Sequence, residues 1–98
     1  MSAYVISDID IINSERYRRY SELVRLAVDR HGGHYLVRGG EVAVLEGIWN
    51  PARVVIIEFA GVDEARRFYD SPECRDARAL RQNAAMVNMI LVDGVALD

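Results

Sequence analysis

The chain has 98 residues, of which 51% are hydrophobic and 28% are charged, and its net charge is −3. This length corresponds to a single domain spanning residues 1–98, with the composition of a globular protein. The sequence has no apolar run long enough to cross a membrane and no basic, apolar leader, so we expect a cytoplasmic protein that does not bind membranes. The single cysteine, Cys74, excludes an internal disulfide.

The first half of the chain predicts a strand, a long helix and a second strand. Residues 4–11 are β-branched and aromatic, which is typical of a strand. Asn13 is a suitable N-cap for the helix that follows, whose apolar residues recur at steps of three and four. Glycine pairs end the helix and the second strand. The second strand is residues 34–38, and the glycine pairs are Gly32-Gly33 and Gly39-Gly40. The apolar stripe of the helix consists of Tyr17, Tyr20, Val24, Ala27, Val28 and His31, and is broadened by Leu23 and Leu26.

The second half predicts two more strands with two helices between them. Residues 41–46 are expected to be extended and residues 47–51 to form a turn. The run of β-branched residues within 53–59 predicts the strongest strand. A helix over 61–69 follows. Ser71 and Pro72 are an N-cap and first-turn pair that open a further short helix to residue 82. Residues 86–92 predict the last strand.

This order contains two strand-helix-strand crossovers around a central hairpin. Crossovers of this kind are right-handed, so the helices should lie on one side of a single sheet. The simplest solution is a four-stranded antiparallel sheet in the order 4-1-3-2. We therefore expect an α+β, ferredoxin-like βαββαβ domain.

Alternation along the strands divides their residues into an apolar set and a mixed set. The apolar set must face the helices, which leaves the mixed set on an open face of the sheet. Half of the mixed set is apolar, too much for a face left in water, so we expect this face to pack on a second copy and to form a homodimer around a partly polar cavity. The mixed set is Tyr4, Ile6, Asp8, His34, Leu36, Arg38, Val54, Ile56, Glu58, Asn88 and Ile90.

Three residues of the mixed set are candidates for catalysis. Arg38 could hold an anionic substrate while Glu58 acts as a base, and His34 has a pKa suited to proton transfer. The competing interpretation is an Arg38–Glu58 ion pair that sets the sheet register or the dimer contact. His31 and His34 could together bind a metal, but no third ligand stands at a recognisable spacing, so no metal site is predicted.

Three further polar residues are candidates for ligand binding. Tyr4, Asp8 and Asn88 lie on the first and last strands, which are neighbours in the predicted sheet, and could orient a small organic ligand by hydrogen bonding. A tyrosine on a sheet face also serves packing alone, and both interpretations stay open.

Several short motifs follow one another with a specific order and spacing: Gly32-Gly33, Arg38-Gly39-Gly40, Leu45-Glu46-Gly47, Glu58-Phe59, and Ser71-Pro72-Glu73 followed by Arg81. Together they resemble the bacterial domain-of-unknown-function family numbered thirteen-thirty, over nearly the whole chain. That family is similar in fold to the dimeric α+β barrels, in which two ferredoxin-like sheets enclose a pocket. The resemblance supports the fold and the dimer. Cys74 stands where the family usually has an aromatic residue.

The resemblance leaves the activity open, because relatives of the fold include cofactor-free monooxygenases, isomerases and haem-degrading enzymes. It adds Arg81 as a candidate ligand-binding residue at the mouth of the pocket. We expect a small-molecule-binding domain. One possibility is an enzyme without a cofactor, of oxygenase, isomerase or lyase type, that acts in a cavity between the sheet and helices of a homodimer. The alternative is a non-catalytic ligand-binding or stress-related module. RNA binding is disfavoured, because the chain is acidic and strand 53–59 lacks spaced aromatic residues.

Overall fold

The computed structural model describes residues 2–95. Four strands and three helices follow one another in the predicted order, and their ends agree with the sequence-based bounds to within about one residue. The strands are β1 (Ala3–Ile11), β2 (His34–Arg38), β3 (Arg53–Phe59) and β4 (Ala85–Asp93), and the helices are α1 (Ser14–Arg30), α2 (Val62–Asp70) and α3 (Pro72–Arg81).

The helix starts follow from their capping residues. The Asn13 side chain accepts a hydrogen bond from the Arg16 backbone N–H at 3.1 Å and so begins α1. The Ser71 hydroxyl accepts from the Cys74 backbone N–H at 3.2 Å and begins α3. No helix within residues 2–95 is long and apolar enough to cross a membrane.

The sheet has the strand order β2-β3-β1-β4, with every neighbouring pair antiparallel. This is the predicted ferredoxin-like arrangement, and the helices cover one face of the sheet. The predicted apolar set of β1 and β3 faces the helices and is buried, together with the inner stripe of α1. Leu23 and Leu26 do not join that stripe. They are 36% and 54% exposed, so the prediction that they broaden the buried face of α1 is wrong.

A close backbone approach fixes the end of α1 against β3. A Cβ atom added at Gly33 would lie 2.8 Å from both the Phe59 ring and the Val28 side chain, so no larger residue fits there without moving them. Phe59 in turn packs on Phe68 of α2, with ring centroids 5.0 Å apart. The glycine therefore lets α1, α2 and β3 share one core.

The β2 strand contains a bulge that changes which face its last residues occupy. Tyr35 pairs with Ile57, but Val37 pairs with Ile56, so Leu36 is an extra residue in the ladder. From this point the alternation of β2 is reversed. Val37 now lies on the open face, and Arg38 lies on the helix-covered face.

The segment between β2 and β3 forms neither helix nor strand, although residues 41–46 were expected to be extended. Gly39 ends β2 with a positive φ of 74°, which carries the chain away from the sheet after its N–H bonds to the Val54 carbonyl. The segment is largely exposed, and the side chains of Leu45 and Ile48 are fully exposed. Such exposure of aliphatic side chains makes the segment a candidate contact for a partner.

Candidate functional site

The open face of the sheet carries an unbroken apolar row. The strand registers place four aliphatic residues side by side, one from each strand, across the full width of the sheet. From β4 to β2 they are Ile90, Ile6, Ile56 and Val37. Ile90 is 58% exposed, and the neighbouring Leu36 is 54% exposed. A row of this kind is an unfavourable surface to leave in water.

Polar residues lie on both sides of this row. Tyr4 and His34 each stand opposite Glu58 on one side, and Asp8 stands opposite Asn88 on the other. The structure therefore brings five of the seven predicted site residues onto one face. Asp8 accepts a hydrogen bond at 3.0 Å from the indole N–H of Trp49, which anchors the β2–β3 segment over this end of the sheet.

Arg38 does not belong to this group, and the prediction that it shares the open face with Glu58 is wrong. The bulge at Leu36 turns Arg38 to the helix side, where its guanidinium donates to the Ser21 hydroxyl at 3.3 Å. Its Cζ also lies 4.7 Å from the centre of the Tyr35 ring. The proposed Arg38–Glu58 ion pair is excluded for the same reason.

Arg81 also lies on the helix side. Its guanidinium donates to the Tyr20 hydroxyl at 3.2 Å and stands 5.4 Å from the centre of that ring. The predicted ligand-binding residues are therefore divided between the two sides of the sheet. Tyr4, Asp8 and Asn88 lie on the open face, and Arg81 lies on the helix side next to Tyr20 of α1. Arg81 is connected to the interior through Tyr20.

The helix side contains a small cavity in the core, which we call the inner cavity. It lies between β1, β3 and the three helices, and its volume of about 30 Å³ suits no more than about two water molecules. Its wall is apolar except for a group of hydroxyl, thiol and guanidinium side chains: Ser7, Tyr17, Tyr20, Ser21, Tyr35, Arg38, Arg53, Tyr69, Cys74 and Arg78.

The chemistry of the inner cavity is that of donors and cations. Neither a carboxylate nor an imidazole lines it. Burial raises the pKa of the Tyr20 phenol, although the nearby Arg81 opposes the shift. Burial likewise raises the pKa of the Cys74 thiol, which is partly offset by Arg78 at 3.2 Å. The Tyr20 phenol and the Cys74 thiol therefore stay protonated at neutral pH, and can donate hydrogen bonds to a ligand but do not act as ready bases.

Tyr35 gives a direct test of this environment through the pH dependence of stability. Burial raises the pKa of Tyr35 from 10.0 to about 12, with Arg38 opposing the shift. Because the folded state holds this proton more tightly than the unfolded chain, its contribution to stability is complete below about pH 10 and is lost as the pH rises through about 12. We expect Tyr35→Phe to reduce the fall in the free energy of unfolding over this range, measured by urea titration at several pH values. Ionisation of Tyr35 together with the exposed tyrosines would contradict this expectation.

A wider groove lies outside the inner cavity, between α1 and the adjoining ends of β1, β2 and β3. We call it the outer groove. Its volume is about 670 Å³, which falls within the range of pockets that hold small organic ligands. Tyr17, Ser21, Arg38 and Arg53 line both spaces and form the boundary between them.

Arg53 is a site residue that the sequence-based assignment missed. Its Cζ lies 5.7 Å from the centre of the Tyr17 ring, and a Cβ atom added at Gly39 would overlap its guanidinium. The sequence contains a signal for this role. Arg53 lies an even number of residues from Val55, Ile57 and Phe59, so its charged side chain belongs to the same face of the strand as these apolar residues, which must face the helices. Tyr17 and Tyr20 gave a similar signal, since each places a hydroxyl in the buried stripe of α1.

No cluster of three or more metal-binding side chains occurs among residues 2–95. His31, one of the two histidines considered as ligands, instead approaches the Ala27 carbonyl with its Nδ1 at 2.8 Å. Its ring packs edge-on against Phe68, with 6.2 Å between the ring centroids. His31 therefore closes the end of α1, away from His34 on the open face.

Comparison with solved structures identifies several proteins of the same fold. A protein of unknown function from Rhodopseudomonas palustris has 17% identity and a TM-score of 0.76, over 98% of this chain and 84% of its own. SnoaB, a cofactor-independent oxygenase from Streptomyces nogalater, has 9% identity and a TM-score of 0.66, over 98% and 95%. A dimeric ferredoxin-like protein of unknown function from Thermobifida fusca has 16% identity and a TM-score of 0.53, over 95% and 91%.

These likenesses establish the ferredoxin-like fold, which is common to relatives with and without an assigned activity. A search of curated proteins gives no match. The model of one protein family, described as Domain of unknown function (DUF1330), matches residues 2–95, which is nearly the whole chain. The chain therefore belongs to the DUF1330 family.

Proposed function

We propose that this protein is a homodimer that binds a small organic molecule in the outer groove, against the polar boundary of the inner cavity. The observation that carries this proposal is the set of donors and cations that lines the inner cavity and its boundary with the outer groove. Tyr20, Tyr35, Arg38 and Arg53 line the inner cavity without a carboxylate or imidazole among its walls. Ligand sites combine apolar walls with a few placed polar groups, so this arrangement favours a binding role.

The second copy is expected to cover the open face. The apolar row of Ile6, Ile56, Ile90 and Val37 needs such a cover, and the exposed Leu45 lies on the segment anchored above the same sheet. A dimeric relative with this fold supports the same arrangement. Because the ligand groove lies on the opposite side of the sheet, the dimer leaves the groove accessible.

Catalysis without a cofactor is the second candidate, and the pairing of His34 with Glu58 favours it. The two residues stand opposite each other on adjacent strands, and a second copy over the open face would enclose them. Tyr4, Asp8 and Asn88 would then orient a substrate there. An oxygenase that works without a cofactor has the same fold. This candidate uses the open face, so it involves neither Arg38 nor Arg81, which both lie on the helix side.

Both candidates are tested by mapping where neutral carbonyl and aromatic fragments bind, from the movement of backbone amide signals in NMR spectra. The proposed function predicts shifts at Tyr17, Ser21 and Arg38, and weaker binding of carbonyl fragments to Ser21→Ala. The second candidate predicts shifts at His34 and Asn88, and weaker binding to His34→Gln. Shifts confined to any other surface, or no binding by any fragment, would reject both.

A further inference from the structure

Two arginines at the boundary of the outer groove have no acidic partner. Arg38 and Arg53 lie on neighbouring strands and line both the groove and the inner cavity. Within the described residues, 2–95, no carboxylate lies close enough to either guanidinium to form a salt bridge. Arginine has five donors and remains charged at every accessible pH, so unpaired guanidiniums in a recess are suited to an anion.

The surroundings of the groove add to this positive charge. Arg18 and Arg25 line its outer part, which gives the groove four arginines against one glutamate, Glu22. Glu22 lies 3.9 Å from Arg18 and so is already partly neutralised. The chain as a whole carries a net charge of −3, so this concentration of arginine is opposite in sign to the rest of the molecule. A recess of one charge focuses the field and attracts ligands of the opposite charge.

Arg53 contains an unsatisfied donor at the same boundary. Its Nε atom is buried and has no hydrogen-bond partner. Buried donors are normally paired with protein or water, and leaving one unpaired is costly, so this guanidinium is not fully satisfied by the protein itself. The side chain is held in place by the Tyr17 ring and by the absence of a side chain at Gly39. Its guanidinium is therefore positioned before any ligand arrives.

The remaining walls indicate what kind of anion would bind. Ile11, Tyr17 and Leu26 form an apolar side of the groove, and the exposure of Leu26 is explained if it contacts a ligand. A planar carboxylate can accept two parallel hydrogen bonds from one guanidinium, while an attached ring or chain can cover the apolar wall. A free inorganic anion would leave that wall in water.

We propose that Arg38 and Arg53 bind the carboxylate of an organic acid, whose aromatic or aliphatic body lies in the outer groove along Tyr17 and Leu26. This inference rests on the proposed function and specifies the class of its ligand. Arg53 supplies the fixed contact and Arg38 the second one, released from its weak 3.3 Å hydrogen bond with Ser21.

Benzoate and its neutral analogue benzamide test this inference on the full-length protein. We expect benzoate to bind at least about tenfold more tightly than benzamide, because a charge-assisted hydrogen bond is roughly twice as strong as a neutral one. Arg53→Gln and Arg38→Gln should each weaken benzoate binding by about tenfold and weaken benzamide binding much less, because the neutral amide gains no charge pairing from the guanidinium. Arg75→Gln, an exposed position on α3, is the control that removes the same charge elsewhere. Titrations followed by amide signals of Ser21 and Gly39 measure all four proteins.

The outcomes separate this inference from the proposed function. If neutral fragments and benzamide bind in the groove but benzoate has no advantage, or if Arg75→Gln weakens benzoate as much as Arg53→Gln does, the carboxylate site is wrong and the small-molecule site stands. If neither benzoate nor any neutral fragment moves the groove signals, both proposals are wrong. Inorganic phosphate competing with benzoate at equal concentration would also overturn the choice of an organic acid.

Discussion

Ile6→Asp is expected to convert the proposed dimer into a monomer. Ile6 lies on a central strand, in the middle of the apolar row, with Ile56 and Ile90 as its direct neighbours. An aspartate there would place an unpaired charge in the covered interface, where such charges cost about 3–5 kcal/mol. In a two-fold dimer the substitution occurs twice, and each 1.4 kcal/mol corresponds to a tenfold change in affinity. The dissociation constant should therefore rise by at least about 100-fold.

Sedimentation equilibrium over a range of protein concentrations measures this change. Ala79→Asp, at an exposed position on α3, adds the same charge on the helix side and should leave the dimer intact. Circular dichroism establishes that both variants are folded. A dimer that survives Ile6→Asp but not Ala79→Asp would show that the copies associate through their helices.

Phe59→Ala is expected to have the largest effect on stability. Phe59 is almost completely buried and contacts Phe68, and the backbone at Gly33 is shaped around its ring. Removing a buried phenylalanine costs about 3–5 kcal/mol through lost transfer energy and the cavity left behind. The total stability of a protein is only about 5–15 kcal/mol, so this one change would remove a large part of it.

Urea unfolding at one fixed protein concentration measures this loss, since the stability of a dimer depends on concentration. Phe59→Leu retains most of the volume and should cost less than half as much, which keeps the test useful if the alanine variant fails to fold. Leu80→Ala removes an apolar side chain that is 43% exposed on α3 and serves as the control. Equal losses for Phe59→Ala and Leu80→Ala would contradict the central role of Phe59.

The sequence alone was sufficient for the fold. Alternating apolar residues, the Asn13 and Ser71 caps and the glycine pairs place every strand and helix, because each of these signals acts within a few residues along the chain. The strand order followed from the handedness of crossover connections. Its family could also be recognised, because short motifs such as Ser71-Pro72-Glu73 keep their order and spacing over the chain.

The candidate site was predicted less completely, and the reason is local. A one-residue bulge reverses alternation, and nothing in the residues 34–38 distinguishes a bulged strand from a regular one. Arg38 was therefore placed on the wrong face. Arg53 was predicted only as the start of a strand. Alternation places its side chain with Val55 and Ile57 toward the helices, but average polarity along a strand does not reveal why a charge occurs among buried side chains. The contribution of the 39–52 segment depends on a partner that a single chain cannot indicate.

The bulge at Leu36 has a consequence for how the length of this strand can vary. A regular strand of this kind supplies residues to its two faces in strict turn, so both surfaces would change together with any insertion or deletion. Here the extra residue lets Val37 complete the aliphatic row while the next residue, Arg38, serves the groove. Regular pairing of all five residues, with Leu36 opposite Ile56, would turn Val37 toward the helices and Arg38 toward the open face. Deletion of Leu36 would restore regular pairing and leave both side chains on their present faces, so related chains that use both surfaces can have β2 either bulged or one residue shorter.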